Sequence, residues 1–170
     1  MNTLEKFRPI KSFLFDVDGV LTNGEVIVME DGSLIRQMNV RDGYAMQRAV
    51  IQGYRIGIIT GGSSKGVADR LFNLGILDIY SGVRDKLEAY EVFVEKYQLE
   101  HEEILYMGDD LPDYEVMRRV GFPTCPRNAA PEILGISQYI SPIEGGKGCV
   151  RDVVEKVLKI HGKWRDEPPQ

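Results

Sequence analysis

The sequence predicts an α/β protein built on a doubly wound, mostly parallel sheet. Three observations carry that expectation. Short apolar runs alternate with stretches of helical periodicity along most of the chain, the pattern of a parallel sheet covered by helices on both faces. Polar clusters rich in Asp, Thr, Gly and Lys follow the apolar runs, which places them at the carboxyl ends of the strands, where open α/β sheets bind ligands. The third is the run Phe13-Leu14-Phe15-Asp16-Val17-Asp18-Gly19: an apolar strand that ends in two carboxylates one residue apart. Positions two apart in an extended chain face the same side.

Taken in order, residues 12–17 form the first strand. Residues 25–30 and 33–40 are β-leaning runs around Asp31-Gly32, a strong hairpin signal. Residues 42–53 read as a helix, with Asp42 at its cap and Tyr44, Ala45, Ala49 and Val50 on one face. Residues 54–60 (YRIGIIT) are an apolar strand ending in Thr-Gly-Gly. A helix over 63–74 is capped by Ser63 or Ser64 and closed by Gly75. A short strand, 76–80, leads to a helix at 85–97. The strand 103–107 (EILYM) ends in Gly108-Asp109-Asp110, and Pro112 opens a helix to Val120. A strand at 121–125, a helix at 130–134 and a strand at 138–140 follow. The glycine-rich run 145–148 leads into a final helix, 149–160. The arrangement is Rossmann-like. It forms one domain over residues 1–164, with the hairpin, about residues 23–40, inserted after the first strand, and a disordered tail at 165–170.

Composition narrows the function. The chain has 170 residues, 43% hydrophobic and 28% charged, ordinary for a globular domain with a real core. A net charge of −5 argues against general nucleic-acid binding. The two cysteines, Cys125 and Cys149, form no CxxC pair, so reduced thiols and a cytoplasmic setting are expected. No stretch has the length of a membrane span, and the N-terminal residues lack an apolar signal core.

Four polar clusters share the carboxyl end of the sheet: Asp16 with Asp18, Thr60 with Gly61 and Gly62, Lys86 at a helix start, and Asp109, Asp110 and Asp113. Paired carboxylates repel unless a cation neutralises them, and magnesium prefers oxygen ligands. Asp16 is suited to attack phosphorus. Asp18 is suited to protonate a leaving oxygen and then activate water. Thr60 and the Gly61 and Gly62 amides can hold phosphate oxygens, and Lys86 can balance the carboxylates. Asp109, with Asp110 or Asp113, completes the magnesium site. Blander roles exist: Asp110 or Asp113 can cap the helix at Pro112, and Lys86 alone would be a solvated helix residue. The two histidines are expected at the surface.

The ordered set DVDGVLT, IITGG, Lys86 and GDDLPD resembles the four motifs of the haloacid dehalogenase superfamily of phosphatases, over nearly the whole chain. The resemblance implies Asp16 as nucleophile, Asp18 as acid/base, and Thr60 and Lys86 as phosphate ligands. It implies magnesium held by Asp16, the Asp18 carbonyl and Asp109, with Asp113 supporting the metal ligands. Only a β-hairpin of about 20 residues is inserted after the first motif and no cap-sized insert follows the second, so the chain resembles the capless type. Within that type it is similar to the phosphatases of 3-deoxy-manno-octulosonate 8-phosphate, through the hairpin, Arg41-Asp42-Gly43, RLFNLGI and GGKGCVRDVVE. That likeness implies a homotetramer packed through the hairpin, whose exposed face would carry Val26, Val28, Leu34 and Met38. It also implies a C-terminal segment that reaches a neighbouring site, and a substrate-facing Arg70.

Many members of that group have arginine after Thr-Gly, where this chain has Gly62. The branch acting on the nine-carbon 2-keto-3-deoxy-nononate 9-phosphate tends to have an acid there and a lysine at the position of Asn73. Neither is present, which leans toward the eight-carbon sugar acid. A non-catalytic oligomerisation module is a further alternative, opposed by four intact motifs. A receiver-type signalling domain would place its lysine after its threonine on a late strand and has no use for Asp18.

Overall fold

A computed structural model describes residues 2–166. Its elements run β1 (Ser12–Phe15), β2 (Ile27–Val28), β3 (Leu34–Ile35), α1 (Val40–Ile51), β4 (Arg55–Ile59), α2 (Lys65–Asn73), β5 (Asp78–Tyr80), α3 (Lys86–Tyr97), β6 (Ile104–Met107), α4 (Tyr114–Arg119), β7 (Phe122–Cys125), α5 (Pro131–Ile136), β8 (Tyr139–Ile140) and α6 (Cys149–Ile160). Six strands form one sheet in the order β5-β4-β1-β6-β7-β8, and every pairing in it is parallel. The chain winds outward from β1 through β4 to β5, then crosses back to β6 and winds the other way. The strand order therefore reverses at β1, and a crevice opens there beyond the strands' carboxyl ends.

β1 is buried on both faces, as its unbroken apolar run requires. Phe13 and Phe15 join the core under α1, α2 and α6, where Met46, Leu71 and Val154 meet them. Leu14 faces the opposite core, under α3, α4 and α5, with Phe93, Met117 and Ile133. This two-sided anchorage makes β1 the rigid base for whatever follows it.

The hairpin forms as Asp31-Gly32 predicts. Gly32 takes φ +86° and Asp31 Oδ1 accepts the Ser33 amide at 2.9 Å. Its ladder is only two residues per strand. Ile27 is 56% and Val28 69% exposed, and Leu34 and Ile35 are also exposed. Met38 instead packs against the main core.

Three local expectations need adjustment. β1 ends at Phe15 rather than Val17, because residues 17–21 close a wide turn in which the Thr22 amide reaches the Val17 carbonyl at 3.1 Å. Pro112 lies in a 3-10 turn, Leu111–Asp113, and α4 starts only after it. Asp42 does not cap its own helix, since Asn39 does so by accepting the Arg41 amide at 2.8 Å. Asp42 instead caps α6, where Gly148 has no side chain to offer: its Oδ1 accepts the Arg151 amide at 2.9 Å.

Both cysteines are free and buried. No helix among the described residues is long and apolar enough to cross a membrane. Of the expected tail, Asp166 pairs with Arg48 at 2.8 Å, and residues 167–170 lie outside the described residues.

Asp42 is fully buried and its Oδ2 has no partner among the described residues. Burial pushes its pKa up from 3.8 to about 6, against the opposing pull of the Arg151 amide. The folded state therefore holds this proton more tightly than the unfolded state. Its contribution to stability is full below 3.8 and is lost as the pH rises through about 6. Urea unfolding of wild type and Asp42→Asn across that range should show the stability difference moving in favour of the asparagine variant as the pH rises. A difference that stays constant with pH would contradict this.

Candidate active site

The three central strands each deliver a polar group to the crevice. Asp16 follows β1, Thr60 follows β4, and Asp109 lies two residues beyond β6. α3 enters beside them with Lys86 as its first residue, after Asp85 caps the helix by accepting the Leu87 amide at 3.0 Å. Asp16, Asp18, Thr60, Gly61, Gly62, Lys86, Asp109 and Asp110 all line one open cleft of about 470 Å³. The structure thus brings together every predicted site residue except Asp113, which lies directly beneath, and Arg70.

The floor is a compact charge cluster. Lys86 Nζ is 2.9 Å from Asp16 Oδ1 and 2.9 Å from Asp113 Oδ1. Asp113 is fully buried and both its oxygens are engaged: Oδ1 also accepts from Tyr106 Oη at 2.6 Å, and Oδ2 accepts the Asp109 amide at 3.0 Å. It makes no capping hydrogen bond to α4. Asp113 therefore orients Lys86 and the Asp109 backbone. Asp110 is the cap here, accepting the Leu111 amide at 2.8 Å.

Asp16 Oδ1 takes both the Lys86 ammonium and the Val17 amide, the latter at 2.7 Å. Burial, then the Asp113 charge, push the Asp16 pKa well above the usual carboxylate range, against the pull of Lys86. Burial and the Asp113 charge likewise raise Asp109 to about 6. Burial works against the Lys86 charge, but Asp16 and Asp113 outweigh it and its pKa rises.

These shifts describe a site with too much negative charge. Oxygens of Asp16, Asp109 and Asp113 lie within 4.8 Å of one another. Three carboxylates against one ammonium leave about two charges unbalanced, which suits a divalent cation, and the all-oxygen donor set suits magnesium.

On the other wall, Thr60 is buried and its Oγ1 accepts the Gly62 amide at 3.2 Å. The turn after β4 is braced by the Thr60 carbonyl, which accepts the Val83 amide at 3.1 Å. Arg70 sits apart. It is exposed, stands over Gly43, and lines a neighbouring groove with Leu34, Met38 and Val67.

Close approach of backbones makes the geometry possible. Gly19 has φ +86°, and a Cβ there would stand 1.8 Å from Asp109 Oδ2. The glycine-rich run before α6 is pressed against the same loop: the Gly146 amide donates to the Val20 carbonyl at 3.0 Å, and a Cβ on Gly145 would stand 1.9 Å from the Gly19 carbonyl oxygen.

Sequence reasoning missed Arg36, whose guanidinium meets Asp18, and Arg84, on the cleft wall. It also missed Tyr106. Arg36 gives no local signal, because its position depends on where the hairpin folds. Tyr106 was detectable: a phenol in a buried parallel strand needs a polar partner. The histidines pair with tyrosines away from the cleft, His101 with Tyr90 at 2.7 Å and His161 with Tyr54 at 2.5 Å.

A carboxylate-bearing loop at the switch point of a doubly wound sheet, facing a threonine turn, a buried lysine and an acidic cluster, defines a phosphatase of the haloacid dehalogenase type. Residues 71–149 match the family model for haloacid dehalogenase-like hydrolases. The chain is 36% identical over 162 residues to the 3-deoxy-D-manno-octulosonate 8-phosphate phosphatase KdsC of Salmonella typhi, covering 95% of this chain and 86% of that one. The Yersinia pestis enzyme of the same name superposes with a TM-score of 0.92 at 34% identity, covering 95% of this chain and 88% of that chain. The Moraxella catarrhalis enzyme, solved with a magnesium ion, a phosphate ion and KDO, gives 0.90 at 36% identity, covering 95% and 93%. The chain belongs to this family of phosphatases and is a phosphoric monoester hydrolase.

Gly19→Ala should drive a methyl group into Asp109 and force a positive-φ residue into strain. Magnesium-dependent turnover is expected to fall by roughly 10²-fold, with a rightward shift in the magnesium titration and unchanged far-UV circular dichroism. Wild-type magnesium dependence in this variant would mean that the Gly19–Asp109 contact does not set the site.

Proposed function

We propose that the protein hydrolyses 3-deoxy-D-manno-octulosonate 8-phosphate to the free sugar acid and phosphate, through an aspartyl-phosphate, as a step toward the sugar acid of lipopolysaccharide. The observation that carries this reading is the cluster of Asp16, Lys86, Asp109 and Asp113 at the switch point, in a chain whose relatives across nearly its full length are phosphatases of that compound.

In this mechanism Asp16 is the nucleophile. Its Oδ1 is held by Lys86 and the Val17 amide, which leaves Oδ2 for bond formation. Asp16 and Asp109, with the Asp18 carbonyl, would hold magnesium, whose chemistry there is to offset the carboxylate charge and polarise the phosphoryl group. Thr60 and the amides of Gly61 and Gly62 hold phosphoryl oxygens. Lys86 neutralises charge as the carboxylate approaches an anion. In the first step the Asp16 oxygen bonds to phosphorus, the bond from phosphorus to the sugar oxygen breaks, and Asp18 gives that oxygen its proton. In the second, Asp18 takes a proton from water, the water oxygen bonds to phosphorus, and the acyl-phosphate bond breaks to release phosphate and restore Asp16. Asp113 supports the metal ligands from beneath, through Lys86 and the Asp109 amide, Asp110 caps the turn beside them, and Arg70 contacts the sugar acid from the adjoining groove.

The domain is read as a single unit over residues 1–164, with the hairpin as its one insertion. Assembly as a cytoplasmic homotetramer through the hairpin is part of the same proposal. What supports it is the apolar surface at Val26, Ile27, Val28 and Leu34, all exposed in the single chain, where an uncovered patch of this kind marks an interface.

Phosphate release with magnesium, compared between the eight- and nine-carbon sugar-acid phosphates, tests the substrate. A higher kcat/KM for the eight-carbon compound is expected, and preference for the nine-carbon compound would overturn the assignment. Asp16→Asn should abolish turnover, and Asp18→Asn should slow it by roughly 10²–10⁴-fold. Full activity in either variant would contradict the mechanism.

A further inference from the structure

The side chain of Arg36 leaves the base of the hairpin, just after β3, and crosses to the catalytic loop. Its Nε is 2.7 Å from Asp18 Oδ1 and its Nη2 is 3.2 Å from Asp18 Oδ2, a two-point fork. No other side-chain hydrogen bond to Asp18 is present among the described residues. The Arg36 side chain is 10% exposed and that of Asp18 is 38% exposed. An ion pair whose acid is this open to solvent adds little stability. Its physical content is orientation: two parallel contacts fix the plane of the carboxylate, which one contact does not. An ionised carboxylate has about four lone-pair sites, and the fork takes one on each oxygen. One site on each oxygen therefore remains for a leaving group or a water.

Room for the guanidinium comes from the phosphate turn. A Cβ on Gly62 would stand 3.1 Å from Arg36 Nη2. The glycine lets the arginine lie against the turn and reach Asp18.

We propose that Arg36 is a positioning residue for Asp18, so that the hairpin completes the chemistry of its own chain as well as offering an apolar surface. This rests on the assignment of Asp18 as the acid/base. Arg36 acts through Asp18, by holding one carboxylate plane toward the cleft.

The test is a double-mutant cycle on the purified full chain with magnesium and the eight-carbon sugar-acid phosphate, using Arg36→Gln, Arg36→Lys, Asp18→Asn and the Asp18→Asn/Arg36→Gln pair. Arg36→Gln is expected to lower kcat by roughly 10–100-fold, with KM within about threefold. Arg36→Lys should recover only part of the loss, because an ammonium is a single point of contact. In the Asp18→Asn background, Arg36→Gln should change kcat by less than about twofold, since coupled residues do not add. Equal losses in both backgrounds would overturn the proposal, as would an effect confined to KM, which would assign the guanidinium to substrate binding. Full activity of Asp18→Asn alone would overturn the acid/base assignment and this inference together. If Arg36→Gln does not fold, the same cycle run with Arg36→Lys decides the question.

Discussion

The structure depends on burying two carboxylates, with a third half-buried beside them, against one lysine at the mouth of a parallel sheet. Asp16, Asp113 and Lys86 are all nearly sealed from solvent, and such charges are costly unless they are paired and hydrogen-bonded. Every neighbouring element contributes to that requirement. α3 brings Lys86 at its first turn, β6 brings the Tyr106 hydroxyl, and the Asp109 amide closes the remaining oxygen of Asp113. The excess of negative charge that persists is the property that makes the site a cation site.

Sheet topology explains why these groups meet. β1 lies between β4 and β6 with in-register parallel pairing on both sides, so the loops after all three strands open into one crevice. The loop after β1 is then set by backbone contact rather than by side chains. Glycines at 19, 145 and 146 let three chain segments approach closer than any Cβ allows. Asp42 secures the third of these by capping α6 from α1. A carboxylate in the helix core thus steadies a loop at the catalytic edge.

Much of this was legible in the sequence because periodicity and chain order specify it. The apolar runs fixed the strands, and their following polar residues fixed the end of the sheet at which Asp16, Thr60, Lys86 and Asp109 would gather. Asp31-Gly32 specified its hairpin by turn chemistry alone. What stayed hidden depends on contacts between distant segments. Asp42 reads as a cap for its own helix but serves another. Arg36 carries no local signal and becomes legible only when the folded hairpin sets its guanidinium beside Gly62. The roles of Asp110 and Asp113 could not be separated by spacing, and it is the engagement of both Asp113 oxygens that separates them.

The central claim is that Asp16 carries the phosphoryl group. The most direct measurement is to acid-quench the enzyme during turnover, reduce the trapped acyl-phosphate with borohydride, and locate the modified residue by mass spectrometry of the peptides. The account predicts conversion at Asp16 during turnover, and none in Asp16→Asn. Modification at another residue, or none at Asp16 while phosphate is being released, would contradict it.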